Sequence, residues 1–335
     1  MESILVLAHV EADGALGKPA LEALTAAKSL GGELLVGLAG AATQPAADQI
    51  ASCGAARILA VSGEAFAEPR YATDAAAAEA LCRASGAGLV IAPSTARWAR
   101  ALPGVAYRLG GRIDTHATNL AEAGGAPAVT RWFYRQRMEA VLSRAQRPWM
   151  VLVDSGCFAV WSGAPGSAVV EAVAAELPAC RTRVTGVRAP KADEQTIRPD
   201  AALLFVAGAG WTKKQSDGGS HAADAAELIL GFLRASKASL GGSKSLVDQS
   251  GEGEAVLPFM THLNQVGQTG ATPRHPKGLS TCCHGEEPHV VGWRFVNERR
   301  AVNLDPNCGW ARGKADVVYV ADAFEVMRKV NALLG

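Results

Sequence analysis

The chain has no long apolar run, no excess of charge of either sign, no paired cysteine spacing and no common nucleotide-loop or hydrolase signature. No stretch approaches the roughly 20 apolar residues that a membrane-crossing helix needs, so membrane insertion is not expected. With 33 Lys and Arg against 32 Asp and Glu, the net charge is +1, and nothing draws the protein toward nucleic acid or an anionic surface. There is no Gly-x-x-x-x-Gly-Lys-Ser/Thr loop and no Gly-x-Ser-x-Gly elbow, which takes support from kinase-like and hydrolase readings. The seven cysteines (Cys53, Cys82, Cys157, Cys180, Cys282, Cys283, Cys308) are odd in number and scattered, with no C-x-x-C pair. That pattern favours free thiols in a reducing compartment and makes the cytoplasm the expected location. The opening MESILVLAHV carries an acid and no basic stretch, and is expected to be a first β-strand rather than a signal peptide. No internal repeat or low-complexity tract is found.

The sequence does hold 335 residues, 49% hydrophobic and 19% charged, enough for two globular domains with their own cores. In the first half, short apolar runs alternate with alanine-rich helical stretches: SILVLAHV, KPALEALTAAKSL, ELLVGLAG, QPAADQIAS, ARILAVSG, ATDAAAAEALCRAS, GLVIAPS and ARWARALPGVAYRLG. Such alternation predicts βαβ units and a parallel sheet. From about Asp114 the pattern becomes strand, turn, strand in AVTRWFYRQRMEAVLSRAQRPWMVLVD, read as an antiparallel addition to the same domain. Residues 188–200, around RAPKADEQTIRP, have the composition of a linker. Beyond it a second α/β pattern runs through AALLFVAG, AADAAELILGFLRAS, GGSKSLVD, HVVGWRF, RAVNLDP, ADVVYVAD and AFEVMRKVNALLG. The expected domains are therefore 1–187 and 201–335.

Ligands of open α/β sheets gather in loops beyond the carboxyl ends of the strands, and the unusual loops lie in the second domain. VAGAG (Val206 to Gly210) ends a strand with glycines, suiting either a phosphate approach or a simple chain turn. GGSKS (Gly241 to Ser245) offers a hydroxyl and a lysine, or a solvated turn. The stretch LNQVGQTGATPRHPKGLSTCCHGEEPH, Leu263 to His289, is too rich in glycine and proline for a helix and reads as too polar for a core strand. Within it, the glycines flanking Gln268 and Thr269 leave backbone amides and two side chains free to meet a heteroaromatic edge. Cys282, Cys283, His284 and His289, with Cys308 and His275 as further candidates, are metal-ligand types. Adjacent cysteines point apart, however, and structural zinc ligands are usually paired two to four residues apart, so the spacing weighs against a metal.

These residues resemble a family, the α subunit of electron transfer flavoproteins. GALGKPALEALTAAKSLGG is similar to its opening segment, LPGVAYRLG to its fourth-helix region, and NQVGQTG contains its flavin-loop signature intact. PHVVGW, AVNLDP and ADVVYVADAFEVM follow in the family's order, so the resemblance spans nearly the whole chain. It implies a flavodoxin-like, doubly wound C-terminal domain that binds FAD, and an N-terminal domain that pairs with a β subunit. Electrons would come from a dehydrogenase and leave through a quinone oxidoreductase toward the respiratory chain. By position, Gln265, Val266, Gly267, Gln268 and Thr269 would line the flavin, with the Thr269 hydroxyl near ring N5. His289 would face the pyrimidine carbonyl, Ser243 and Lys244 stand where the family has Ser-Arg, His284 and Gly285 fall in a further flavin segment, and Asn303 and Asp322 would meet the adenosine half.

The departures from the family are local. Ala209 replaces an arginine, and Lys244 keeps a charge but lacks the planar fork of arginine. Cys282, Cys283 and His284 replace Gly-Ile-Ser, and Glu286 and Glu287 replace apolar residues near the expected pyrophosphate, where carboxylates repel unless they point away. An insertion, QSGEGEAVLPFMTH, precedes the flavin loop. A specialised member with retuned flavin binding is expected. The competing readings are a docking subunit that has lost FAD, and a metal or iron–sulfur site within residues 282–308.

Overall fold

The computed structural model describes residues 2–133, 138–177, 179–186, 197–248, 256–266, 272–281, 295–306 and 315–335. The chain divides into two compact units, residues 1–188 and 189–335.

In the N-terminal unit β1 (Ser3–His9), α1 (Lys18–Lys28), β2 (Glu33–Gly40), α2 (Gln44–Gln49), β3 (Arg57–Ser62), α3 (Tyr71–Ser85), β4 (Leu89–Pro93) and α4 (Ala96–Arg108) alternate as the sequence predicts. The strands are near-continuous apolar runs because both faces of the sheet are covered. Along β1, Ile4, Val6 and Ala8 belong to one buried cluster, whereas Leu5 and Leu7 belong to the other. Helix α3 stops at Gly86, whose φ of +63° lies in the left-handed region that favours glycine. Helix α4 starts where the Thr95 hydroxyl accepts from the Trp98 N–H at 3.4 Å.

Strands β5 (Arg112–Ala123), β6 (Ala126–Phe133), β7 (Met138–Leu142), β8 (Trp149–Val153) and β9 (Val170–Ala172) complete a nine-stranded sheet in the order β7-β6-β5-β8-β4-β1-β2-β3-β9. The pairs β5–β6 and β6–β7 are antiparallel, and the remaining pairs are parallel. The antiparallel addition is thus β6 and β7, while β8 returns to the parallel part between β5 and β4. Asp114 organises this junction. Its carboxylate, 2% exposed, accepts from Trp149 Nε1 at 2.9 Å, from Arg131 at 3.1 Å and from both Nε and Nη2 of Arg144. Burial opposes its ionisation, but the donors of Arg144, Trp149 and Arg131 outweigh that and hold the carboxyl below the usual range.

The C-terminal unit contains β10 (Leu203–Ala207), α5 (Ala222–Ser236), β11 (Ser239–Gly242), α6 (Lys244–Asp248), β12 (His275–Thr281), β13 (Val296–Asn303), β14 (Val317–Val320) and α7 (Ala323–Leu334). The sheet order is β11-β10-β12-β13-β14, with every pair parallel. Counted within the unit this is 2-1-3-4-5, the flavodoxin-like doubly wound order. The molecule is therefore an α/β protein of two units, one with a mostly parallel sheet and one with a wholly parallel sheet.

One expectation is corrected here. The stretch read as too polar for a core strand contains β12, HPKGLST, which lies between β10 and β13 at the centre of the sheet. Its polar residues are tolerated because they are bonded: His275 and Thr281 are fully buried and reach partners on neighbouring segments. Most of HVVGWRF lies outside the described residues. The strand that follows, β13, starts at Val296 and joins the NERR run to RAVN.

Candidate functional site

The C-terminal chain leaves β10 toward β11 on one side and reaches β12 on the other. The topological switch point, where open α/β sheets bind ligands, is therefore outside the carboxyl ends of β10 and β12. That rim is closed by hydrogen bonds. Gly208 N donates to Thr281 O at 2.9 Å, and Ser243 N donates to Ala207 O at 2.9 Å. The buried Trp211 donates from Nε1 to Thr281 Oγ1 at 2.9 Å, while its ring packs 4.6 Å from that of Phe324. Trp211 and Thr281 were not among the candidates named from sequence. They lie 70 positions apart, and no local pattern announces such a pair.

The glycine turn of VAGAG leads into a single 3-10 turn, Ala209–Trp211, and α5 begins only at Ala222. The strand is therefore not followed directly by a long helix whose N-terminus faces its end, and the phosphate reading of this turn loses its main physical support. Ala209 is buried in that turn.

Of the residues named from sequence, Ser243, Lys244, Gln265, Val266, Asn303 and Asp322 are described. Ser243 is buried just past β11, and its hydroxyl accepts from Leu246 N at 3.2 Å. Lys244 is exposed and lies 3.6 Å from Asp248 on the same helix. Gln265 bridges to Gly242 in a parallel sense, and Val266 N donates to Gly242 O at 3.0 Å. Val266 packs so closely on Gly241 that a Cβ there would collide with it. These four residues come together at the carboxyl end of β11. Asp322 caps α7, with Oδ1 accepting from Glu325 N at 3.1 Å. Gly267, Gln268, Thr269, His284, Gly285 and His289 lie outside the described residues, as do Cys282, Cys283 and Cys308.

Asn303 differs from the others. It is the last residue of β13 and is fully buried. Its Nδ2 donates to Asp305 O at 3.0 Å, but Oδ1 has no hydrogen-bond partner among the described residues. A buried amide oxygen without a donor costs about 1–3 kcal/mol, so this atom at the carboxyl edge of the sheet is an acceptor awaiting a donor.

Among the described residues no group of three or more His, Cys, Asp and Glu side chains is placed to hold a metal ion. His275, considered above as a further ligand, has both ring nitrogens directed at backbone carbonyl oxygens, Pro273 O and Arg198 O, each at 2.8 Å. It has no nitrogen to give a metal. No helix among the described residues is long and apolar enough to cross a membrane.

The family model for the electron transfer flavoprotein domain matches residues 4–179, more than half of the chain. The chain belongs to the electron transfer flavoprotein family. The α subunit of the electron transfer flavoprotein from Pseudomonas aeruginosa is 24% identical over 330 residues, covering 98% of this chain and 99% of that protein. The domain match ends before the C-terminal unit, whereas the similarity to the Pseudomonas subunit runs through both units. At that identity this is a divergent member of the family.

Proposed function

We propose that the chain is an electron transfer flavoprotein α subunit that binds FAD at the carboxyl edge of its C-terminal sheet. The reading includes a β subunit as partner, a dehydrogenase as electron donor, a quinone oxidoreductase of the respiratory chain as acceptor, and the cytoplasm as location. Residues 1–187 would pair with the β subunit, 188–200 would serve as linker, and 201–335 would carry the flavin. The observation that carries the flavin assignment is Asn303 Oδ1, a buried acceptor without a donor among the described residues, at the position where the resemblance puts the adenosine half. The hydroxyls and amine of an adenosine supply such donors, so the residue fits the group.

Bound FAD supplies the electron-carrying chemistry, and the chain's own residues hold and tune it. Gln265 and Val266, tied to Gly242, bring the chain to the carboxyl edge where the Gly267–Gln268–Thr269 run begins. The resemblance assigns Thr269 to the ring N5, His289 to the pyrimidine end, and His284, Gly285 and Asp322 to the remainder of the cofactor. Ser243 holds the turn that presents Lys244, whose cationic group favours added negative charge on the flavin. Support for the partner comes from the similarity to a protein that is itself a subunit, running over nearly the whole chain.

Co-expression with the cognate β subunit tests the reading. The expected outcome is one heterodimer on a sizing column with stoichiometric flavin absorption. A heterodimer without flavin bands would establish the docking-subunit reading, and broad iron–sulfur absorption the metal reading. A monomer that ignores the β subunit would sink the assignment of the partner.

A further inference from the structure

We propose that His116 is a proton-dependent latch on the hinge that carries the antiparallel ribbon of the N-terminal sheet. It ties the bulge in β5 to Asp154, just beyond β8, and loosens as pH rises.

β5 serves two partners in turn. Arg112, Ile113 and Asp114 pair in parallel with Trp149, Met150 and Val151 of β8, whereas Asn119 to Ala123 pair antiparallel with β6. The register against β8 shifts between Asp114 and Ala117. A bulge of this kind bends the strand and re-aims a side chain. His116 lies within it at a φ of +59°, in the left-handed region that a residue with a Cβ enters at a cost. Such a conformation persists only where its surroundings hold it. Here the ring does so, with Nδ1 3.1 Å from Asp154 Oδ1. The backbone closes the same corner, where Asp154 N donates to Ala117 O at 2.9 Å.

The hinge therefore has two ties of different character. On one side of the bulge, the buried Asp114 is bonded to Arg131, Arg144 and Trp149. Its carboxyl is held below the usual range, so it keeps its charge at neutral pH. In the bulge itself the His116 side chain is 65% exposed, and its ring exchanges protons with solvent. One tie is fixed and the other titrates.

Two charged groups bear on the ring. The hydrogen bond to Asp154 raises the His116 pKa above its ordinary value, and the Asp154 charge adds to it. Partial desolvation and Arg131 on β6 oppose the shift. Arg131 is itself bonded to Asp114 at 3.1 Å. On α1, Glu22 accepts from Ser155 Oγ and Gly156 N at 2.8 Å each and fixes the turn after Asp154, with Lys18 3.9 Å away. Because the folded ring gains a carboxylate partner, the latch is at full strength below about pH 6.5 and is lost as pH rises through the folded value. A neutral ring can still donate from Nδ1, but the charge-assisted part of the bond is gone. For an exposed pair that part is worth about 1.5- to 5-fold in the opening equilibrium. What loosens is the end of β5 with β6 and β7, while the parallel core stays closed.

The test uses the full chain with its β subunit. Titration of labelled histidine rings should give His116 a pKa above 6.5 in the parent and a lower one in Asp154→Asn. Asparagine tolerates the left-handed region but does not titrate, so His116→Asn keeps the bulge without the switch. The Asp154 amide, corrected for intrinsic exchange, should lose protection by about 1.5- to 5-fold between about pH 6 and pH 9 in the parent and stay level in His116→Asn. A ring that titrates at or below 6.5, or that does not respond to Asp154→Asn, overturns the latch. An equal loss of protection in the parent and in His116→Asn does the same. Should His116→Asn fail to fold, the ring titration of the parent against Asp154→Asn decides.

Discussion

Replacing Asn303 with leucine separates what this side chain costs the flavin-free protein from what it contributes to a bound ligand. In the flavin-free chain the substitution removes an unpaired buried acceptor, a relief of about 1–3 kcal/mol, and forfeits the Nδ2 bond to Asp305 O, a loss of about 0.5–1.5 kcal/mol. Leucine keeps asparagine's branching but is larger, so it leaves no cavity, and any repacking strain subtracts from the gain. Before any repacking strain the balance runs from a loss of about 0.5 to a gain of about 2.5 kcal/mol, and each kilocalorie moves the midpoint of a unit this size by about 2–4 °C. If FAD binds as proposed, the sign reverses: the acceptor would gain a donor, and its loss should weaken FAD binding by about 5- to 100-fold. The assay is thermal unfolding of the flavin-free heterodimer, paired with fluorescence titration of FAD. A variant that loses more than about 1 kcal/mol of flavin-free stability while binding FAD as tightly as the parent would refute the reasoning, because Oδ1 would then be serving the fold alone.

Three further outcomes follow from the N-terminal unit and the metal question. Asp114→Ala strands the guanidinium of Arg131 and the buried indole N–H of Trp149, and urea unfolding should show a loss of about 3–5 kcal/mol. Because the folded carboxyl is held below its ordinary value, its contribution is present above about pH 3.9 and falls away as pH drops through the folded value; an unfolding midpoint that does not respond to acid differently in the variant would contradict this. Burial pushes the Cys82 thiol up to about 12 and also raises Cys53, so iodoacetamide at pH 8 should label the exposed Cys180 and spare both, as read by peptide mass. Elemental analysis should find iron and zinc at background in the parent and in the Cys282→Ser, Cys283→Ser variant; stoichiometric metal lost on substitution would restore the metal reading.

What the sequence made legible was the part of the fold written in local periodicity. The alternation of β1 to α4 is visible because each strand is a run of apolar residues and each helix a stretch of alanine. β12 was hidden because its stability comes from partners elsewhere: His275 meets Arg198 across 77 positions, and Thr281 meets Trp211 across 70. The same holds for Asp114, whose donors stand 17 to 35 residues away. At the site, the run from Gln265 to Thr269 drew attention through its glycines, whereas Asn303 stood out only through the family resemblance and nothing local in AVNLDP marks its unpaired oxygen. An unpaired acceptor is a property of surroundings, and surroundings are what a one-dimensional pattern omits.

The edge strand β9 has a consequence for how the N-terminal sheet assembles. It pairs with β3 more than 100 residues earlier in the chain, after the segment leaving β8 crosses the sheet toward the far edge. That crossing is tacked down by Ser52 Oγ to Ala164 O, Gly166 N to Asp48 O, and Ala168 N to Asp48 Oδ1 at 2.9 Å. Bringing such distant residues together carries a loop-closure cost that a three-residue strand and a few surface contacts barely offset. Although Arg57 on β3 bonds Glu171 on β9 at 2.7 Å, the seam between β3 and β9 is expected to open before the rest of the sheet. Amide protection along Val170–Ala172 should report this opening well below the global unfolding threshold.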